Sequence, residues 1–136
     1  LYMKPVKELE HLKKELFEYG EENISYKVSD ENRAFDLELQ NFCDKFEIEI
    51  FDTLKLDFDA DRGDLELSFI ANGYGREKRF LRTKSIENLR LMIDASSVEV
   101  FVNDGKQVMS TRMYPSNYSD IKVSGNIRGK LYSLDI

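Results

Sequence analysis

The sequence has 136 residues, which predicts a single domain on the usual scale of about 150 residues per domain. Its 20 lysines and arginines against 26 aspartates and glutamates give a formal net charge of −6. This acidic balance argues against nucleic-acid binding, which depends on clustered positive charge. The single cysteine excludes an internal disulfide and a cysteine zinc cage, and the single histidine argues against a histidine-rich metal centre. We therefore expect no metal and no other cofactor.

The sequence carries no targeting or membrane-spanning pattern. No run of 18 or more apolar residues occurs, so no membrane association is expected. The first residues lack the apolar stretch of a signal peptide, and we expect a cytoplasmic protein. The first residue is Leu1 and not methionine, so we expect the chain to be part of a longer one.

The N-terminal segment has the pattern of a helix. Its apolar residues recur at steps of three and four: Val6, Leu9, Leu12, Leu16 and Phe17. Pro5 suits the first turn of a helix, and Gly20 supplies a stop at the other end. The spacing therefore predicts one amphipathic helix over residues 5–19, inside a linker that covers residues 1–22.

From Ile24 onward the period of the apolar pattern changes to two, which is typical of strands with one buried face. The alternating apolar residues are Phe35, Leu37 and Leu39; Phe46, Ile48 and Ile50; Leu54, Leu56 and Phe58; Leu65, Leu67 and Phe69; Leu89, Leu91 and Ile93; and Val98, Val100 and Val102. Asn103-Asp104-Gly105 is a strong signal for a tight hairpin turn. About ten or more short strands with no helix between them predict an all-β fold. We expect an antiparallel β-sandwich of the jelly-roll or concanavalin-like type over residues 23–136.

Carboxylates are abundant, but their positions favour a solvated face over a catalytic pair. Five of them lie on the solvent side of alternating strands: Glu38, Glu47, Glu49, Asp57 and Glu66. A pair in a glycosidase needs a cleft and one pKa raised by burial. The run from Asp57 to Asp61 imitates the start of a calcium loop, but Arg62 and Ser68 occupy the positions that need glycine and glutamate. No catalytic residue is expected.

One basic cluster stands out in this acidic chain, and it contains Arg76, Lys78, Arg79, Arg82 and Lys84 around Phe80. Lysines and arginines on a strand edge discourage aggregation, and this is the favoured interpretation. An anionic ligand is the alternative.

Several apolar residues lie out of phase with their strands, namely Phe51, Ile70, Met92 and Phe101. Strands near an edge or a bend bury part of both faces, so these can be core residues. They can equally cover a partner surface. The hypothesis of a domain interface groups them with four further residues: Leu9, Leu12 and Leu16 of the helix, and Tyr114.

The run from Leu91 to Gly105 is more specific than a hairpin requires. It reads LMIDASSVEVFVNDG and continues through Val108, Ser110, Arg112, Met113, Tyr114 and Pro115. This stretch resembles the C-terminal β-sandwich of the glycoside hydrolase family 32 enzymes. Residues 5–12 are similar to the family's linker between its two domains, and residues 131–136 are similar to its C-terminus.

The resemblance implies a partner domain in the same chain, a five-bladed β-propeller on the N-terminal side that carries the catalytic acids. None of the family's three catalytic motifs can be placed here, because the chain has no tryptophan and no Arg-Asp-Pro, and Cys43 follows Phe42 and not a glutamate. The implied role is a non-catalytic accessory module of a retaining β-fructofuranosidase that acts on sucrose or sucrose 6-phosphate. Such a module would stabilise the propeller and could add a homo-oligomer contact.

Two alternatives of another class stay open. The first is a free-standing lectin-like sandwich that binds a carbohydrate, although tryptophan, the commonest sugar platform, is missing. The second is a dimerisation module.

Overall fold

A computed structural model describes residues 13–20, 24–28, 34–70 and 78–134. These residues form twelve strands and no helix. The strands are β1 (Lys13–Tyr19), β2 (Ile24–Lys27), β3 (Phe35–Asn41), β4 (Lys45–Ile50), β5 (Leu54–Asp59), β6 (Asp64–Phe69), β7 (Arg79–Arg82), β8 (Asn88–Ile93), β9 (Ser97–Val102), β10 (Gln107–Arg112), β11 (Asp120–Ser124) and β12 (Ile127–Leu134).

The strands form two antiparallel sheets of six strands each. Sheet A has the order β1-β12-β3-β8-β9-β10, and sheet B has the order β2-β11-β4-β5-β6-β7. Strands that follow one another in the chain pair through short turns along β4 to β6 and along β8 to β10, and β7 pairs with β6. The predicted antiparallel sandwich is therefore confirmed.

The core lies between the two sheets and is built by the alternation seen in the sequence. Every apolar residue of the six alternating segments is buried, apart from Phe69, which is half-buried. Each strand thus turns one set of side chains inward and leaves the intervening polar set on an outer face.

The predicted N-terminal helix is wrong where the structure describes the segment. Residues 13–19 form β1, an edge strand of sheet A that pairs with β12. A bulge between Glu15 and Phe17 shifts the register, which hides the two-residue period and leaves spacings that suit a helix. Pairing with β12 overrides the local preference. Residues 5–12 lie outside the described part of the chain.

The hairpin predicted at residues 103–105 is present, and it is tied to a third strand. Asn103 and Asp104 have φ values of 51° and 59°, the left-handed conformation that a tight turn of this kind requires. The amide of Glu87 donates to Oδ1 of Asn103 over 2.7 Å, and the amide of Asp104 donates to Oδ1 of Asn88 over 2.9 Å. The turn is therefore fixed against the start of β8.

Opposite sides of the sandwich are closed in different ways. On one side, Tyr19 of β1 donates its hydroxyl to the carbonyl of Ile121 in sheet B over 2.9 Å, and burial raises the pKa of Tyr19. On the other side, Gln107 of β10 donates to the carbonyl of Arg82 over 3.0 Å, and Arg79 of β7 donates to the carbonyl of Ser110. The β7–β10 side is thus joined by polar side chains at an exposed edge.

Candidate functional site

A charged cluster lies on the outer face of sheet A, on the side of β3 away from the core. Asp36 follows the buried Phe35, so the pleat of β3 turns its carboxylate outward. Asp36 is nevertheless fully buried. Its surroundings come from neighbouring strands, because Asp36 pairs with Tyr132 of β12 on one side and with Met92 of β8 on the other.

Arg90 holds the buried carboxylate with two parallel hydrogen bonds. Its Nε donates to Oδ1 of Asp36 over 3.0 Å, and its Nη2 donates to Oδ2 over 2.6 Å. Lys13 of β1 lies 3.6 Å from the same Oδ2 and donates to Oε2 of Glu38 over 2.5 Å. Nη2 of Arg90 lies 3.8 Å from that glutamate oxygen. The four side chains form one network across three strands.

Burial raises the pKa of Asp36 to about 6. The Arg90 guanidinium lowers the pKa of Asp36 because it stabilises the ionised form, while the neighbouring Glu38 raises it further. Asp36 and Glu38 are thus two neighbouring acids of which one has a raised pKa, as in a hydrolase. However, Asp36 is sealed from solvent and Arg90 binds both of its oxygens. The network can orient Arg90, but it does not present two free acids to a substrate.

A cleft of about 370 Å³ opens above this network. Its lining includes Glu38, Arg90, Phe101, Lys130, Tyr132 and the Asp104–Gly105 turn. Four of these are consecutive partners across the sheet, because Lys130 pairs with Glu38, Glu38 with Arg90, and Arg90 with Phe101. The cleft therefore follows one row of side chains across β12, β3, β8 and β9.

The outer face of sheet B carries the other four carboxylates that the sequence pattern placed on the solvent side, each near a cation. Glu47 lies 3.5 Å from Lys55, Glu66 lies 3.0 Å from Lys78, and Arg62 lies 3.6 Å from Glu66. Glu49 lies 3.9 Å from Lys122, and Asp57 lies 4.0 Å from Arg62. Partial burial raises the pKa of Asp57. These residues form a polar, ion-paired surface.

A second, more open groove of about 970 Å³ runs along the β7–β10 side. Its lining includes Phe69, Arg79, Asp94, Glu99, Ser110 and Arg112. Three large exposed apolar side chains stand within two residues of that lining: Ile70, Phe80 and Tyr114. The groove itself is lined mainly by polar and charged side chains, and Phe80 faces the outer side of sheet B, where it pairs with Glu66.

The six described residues of the predicted domain interface differ in their accessibility. Phe51 and Phe101 are buried, and Leu16 and Met92 are half-buried. Ile70 and Tyr114 are exposed to 50% and 43%. Leu9 and Leu12 lie outside the described residues. The interface itself stays a prediction, and among its six described members Ile70 and Tyr114 are the exposed ones.

The basic cluster lies on and after the edge strand β7. Lys78, Arg79, Arg82 and Lys84 are exposed, while Arg76 lies outside the described residues. Arg79 and Lys78 bind the carbonyl of Ser110 and the carboxylate of Glu66. Part of the cluster therefore serves the edge of the sandwich.

The sequence analysis missed the network on sheet A. The predicted helix over residues 5–19 gave Lys13 no strand neighbour, and the pattern gave Asp36 and Arg90 no role. The only signal was the register: Glu38 and Arg90 become partners once β3 and β8 pair, and strand pairing between distant segments is not visible in a local pattern.

Across residues 13–20, 24–28, 34–70 and 78–134, no group of three or more potential metal ligands is assembled. The same residues contain no helix that is long and apolar enough to span a bilayer.

Residues 23–131 match the family model described as "Glycosyl hydrolases family 32 C terminal". The chain belongs to this family. The resemblance inferred from the run between Leu91 and Pro115 is thereby confirmed.

The curated relatives are considerably longer proteins. The sucrose-6-phosphate hydrolase of Klebsiella pneumoniae is 31% identical over 134 residues, which is 92% of this chain and 25% of that protein. The sucrose-6-phosphate hydrolase of Bacillus subtilis (strain 168) is 38% identical over 73 residues, covering 52% of this chain and 15% of the relative. The stretch matched by this chain thus covers a quarter or less of each of these two relatives.

Solved structures share the fold at low sequence identity. The exo-inulinase of Aspergillus awamori superposes with a TM-score of 0.78 at 12% identity over 98% of this chain and 32% of that one. The sucrose-6-phosphate hydrolase of Lactobacillus gasseri superposes with a TM-score of 0.75 at 21% identity, over 98% of this chain and 31% of that one. The Caenorhabditis elegans galectin LEC-6 gives 0.64 at 16% identity over 88% of this chain and 96% of the galectin. These likenesses show the sandwich fold.

Proposed function

We propose that this family 32 domain is the non-catalytic accessory sandwich of a retaining β-fructofuranosidase that hydrolyses sucrose or sucrose 6-phosphate. A five-bladed catalytic propeller would precede it in a longer chain, and the sandwich would stabilise that propeller. The observation that carries the proposal is the family match over residues 23–131, together with the small share of each curated relative that the chain spans.

The chemistry of the described residues supports the accessory role. A retaining glycosidase needs two carboxyl groups that both reach the substrate, one as nucleophile and one as acid. Here the acid with the raised pKa of about 6, Asp36, is enclosed and bound by Arg90. The acids of sheet B lie on an open face beside lysines and arginines, where substrate would stay hydrated.

The β7–β10 groove is the surface that best suits contact with the propeller. Three exposed residues neighbour its lining residues in the sequence, namely Ile70, Phe80 and Tyr114, and large exposed side chains of this kind mark interaction surfaces. The family model describes a C-terminal domain, so the partner that would cover this groove is the preceding domain of the same chain. Ile70 and Tyr114 are also members of the predicted interface.

The activity of the chain by itself tests the accessory role. Purified chain incubated with sucrose, and separately with sucrose 6-phosphate, is expected to release no fructose above the uncatalysed rate. The longer enzyme, assayed at equal molar concentration, should release fructose from at least one of the two. Turnover by the 136-residue chain at the level of the longer enzyme would contradict the proposal.

Replacing Phe80 tests the proposed docking surface. In the longer enzyme, Phe80→Ser should lower the temperature of half-inactivation by at least about 3 °C, since an apolar contact of about 1–2 kcal/mol is lost. Phe42→Ser is the matched control, because Phe42 is equally exposed (58% against 55%) but lies in the connection between β3 and β4 and not on the β7 edge. In the isolated sandwich both variants should melt close to the parent. Equal effects of the two substitutions in the longer enzyme would reject this docking surface.

A second candidate is a free-standing carbohydrate-binding sandwich. The likeness to galectin LEC-6 favours it, because the superposition covers 96% of a protein that consists of little else. The coding sequence upstream of residue 1 separates the two candidates. A propeller with the family's three acidic motifs would support the accessory module, and a start codon directly before this domain would support the free-standing protein.

A further inference from the structure

The cleft on the outer face of sheet A has the composition of a small-molecule site. Its volume of about 370 Å³ falls within the roughly 300–1,000 Å³ of such sites. Phe101, 8% exposed, forms an apolar part of the lining, although the pleat of β9 directs it away from the core. Tyr132 adds a second ring, and the Asp104–Gly105 turn adds part of the wall.

Two polar groups of the cleft are held in place from below. Arg90 is fixed by two hydrogen bonds to the buried Asp36, so its guanidinium loses little freedom when a ligand binds. Glu38 is held by Lys13, and Nζ of Lys13 lies 4.5 Å from the centre of the Tyr132 ring. Lys130 is not held from below: it pairs with Glu15 at 2.9 Å on the surface, where the two side chains are 44% and 50% exposed. A buried layer that orients an outer layer is the arrangement of a preorganised binding site.

The charges of the cleft select against a simple anion. Arg90 and Lys130 are balanced by Glu38 and by Asp104 at the turn. A phosphate would meet two carboxylates, whereas a neutral ligand rich in hydroxyl groups can donate to Glu38 and accept from Arg90 and Lys130. An aromatic ring beside such groups suits the apolar face of a sugar.

We propose that this cleft binds one or two residues of a neutral saccharide, with Glu38, Arg90 and Lys130 contacting its hydroxyl groups and the Tyr132 and Phe101 rings contacting its apolar face. The site lies apart from the β7–β10 groove and does not depend on the presence of a propeller. Its failure would therefore leave the proposed accessory role untouched.

Calorimetry with the 136-residue chain tests the site, with sucrose and nystose as the saccharides and sodium phosphate as the anion. At least one saccharide is expected to give a saturable heat with half-saturation below about 1 mM, and phosphate to give none. Glu38→Gln should weaken saccharide binding at least tenfold, because the charged acceptor for the hydroxyl groups is removed. Glu47→Gln is the control: it makes the same change beside Lys55 on the outer face of sheet B, and it should bind as the parent does.

Chemical-shift mapping on the unsubstituted chain keeps the test valid if Glu38→Gln unfolds. The saccharide should shift the amide signals of Arg90, Asp104 and Gly105, while those of Glu47 and Lys55 on sheet B stay unchanged. The absence of saturable binding of both saccharides would overturn the proposal. Shifts confined to sheet B, equal weakening by the two substitutions, or binding of phosphate in place of sugar would overturn it as well.

Discussion

Gly129→Ala is expected to destabilise the sandwich by at least about 3 kcal/mol, or to prevent folding. Gly129 lies inside β12 and pairs with Leu39 of β3 and Tyr19 of β1. A Cβ atom at this position would overlap the carbonyl oxygen of Glu38 and lie 2.8 Å from the Cα of Leu39. Both obstacles are backbone atoms, so no side-chain rotation relieves the overlap and β12 must move away from β3.

Gly20→Ala is the matched control for this prediction, and urea unfolding at pH 7 is the measurement. A Cβ at Gly20 meets nothing within 4 Å, and the φ angle of Gly20 is not in the left-handed region. This variant should therefore unfold within about 1 kcal/mol of the parent, on the stable side, because alanine restricts the unfolded chain. A Gly129→Ala protein as stable as Gly20→Ala would show that β12 and β3 are not packed as described.

Most of the fold could be predicted because it depends on a local signal. The alternation along β3 to β6, β8 and β9 predicts which side chains point into the core. The side chains that are buried in the structure agree with this prediction almost residue by residue. The hairpin at Asn103-Asp104-Gly105 was equally visible, since both central residues tolerate the positive φ that the turn needs.

The errors occur where the backbone departs from regular pleating. The bulge near Leu16 conceals the period of β1, and its partner β12 lies more than a hundred residues further along the chain. Phe51 is out of phase because it adopts a φ of 54° in the turn between β4 and β5. This conformation sends its ring into the core, 5.1 Å from that of Tyr118 and 6.3 Å from that of Phe35.

The candidate site was hidden for a different reason. Alternation places Asp36 on an outer face, where a carboxylate is normally hydrated. Its burial results from Tyr132 and Met92 as neighbours across the sheet and from Arg90 and Lys13 closing over it. These four residues come from three segments far apart in the sequence, so the site depends on register, which local patterns do not encode.

Removing the guanidinium that binds Asp36 should have the second large effect. Arg90→Leu leaves a buried carboxylate without its two shortest hydrogen bonds, and a broken buried pair typically costs about 3–5 kcal/mol. Arg62→Leu is the control, because Arg62 also faces three carboxylates but on the exposed surface of sheet B, where about 1 kcal/mol or less is expected. Equal losses in urea unfolding at pH 7.5 would contradict this account.

The pH dependence of Arg90→Leu identifies the cause of its instability. Burial already raises the pKa of Asp36 to about 6, and loss of the arginine should raise the pKa further. The native state then binds more protons than the unfolded chain over a wider range, so the stability of the variant should rise as pH falls from 7.5 to 5. The difference in stability between the variant and the parent should shrink over the same pH range.

In the double variant Asp36→Leu/Arg90→Leu no carboxylate is left buried at this position, so most of the stability should return at pH 7.5 and the pH dependence should flatten. A double variant as unstable as Arg90→Leu would indicate that the packing of the arginine, and not its charge, holds the outer face of sheet A together.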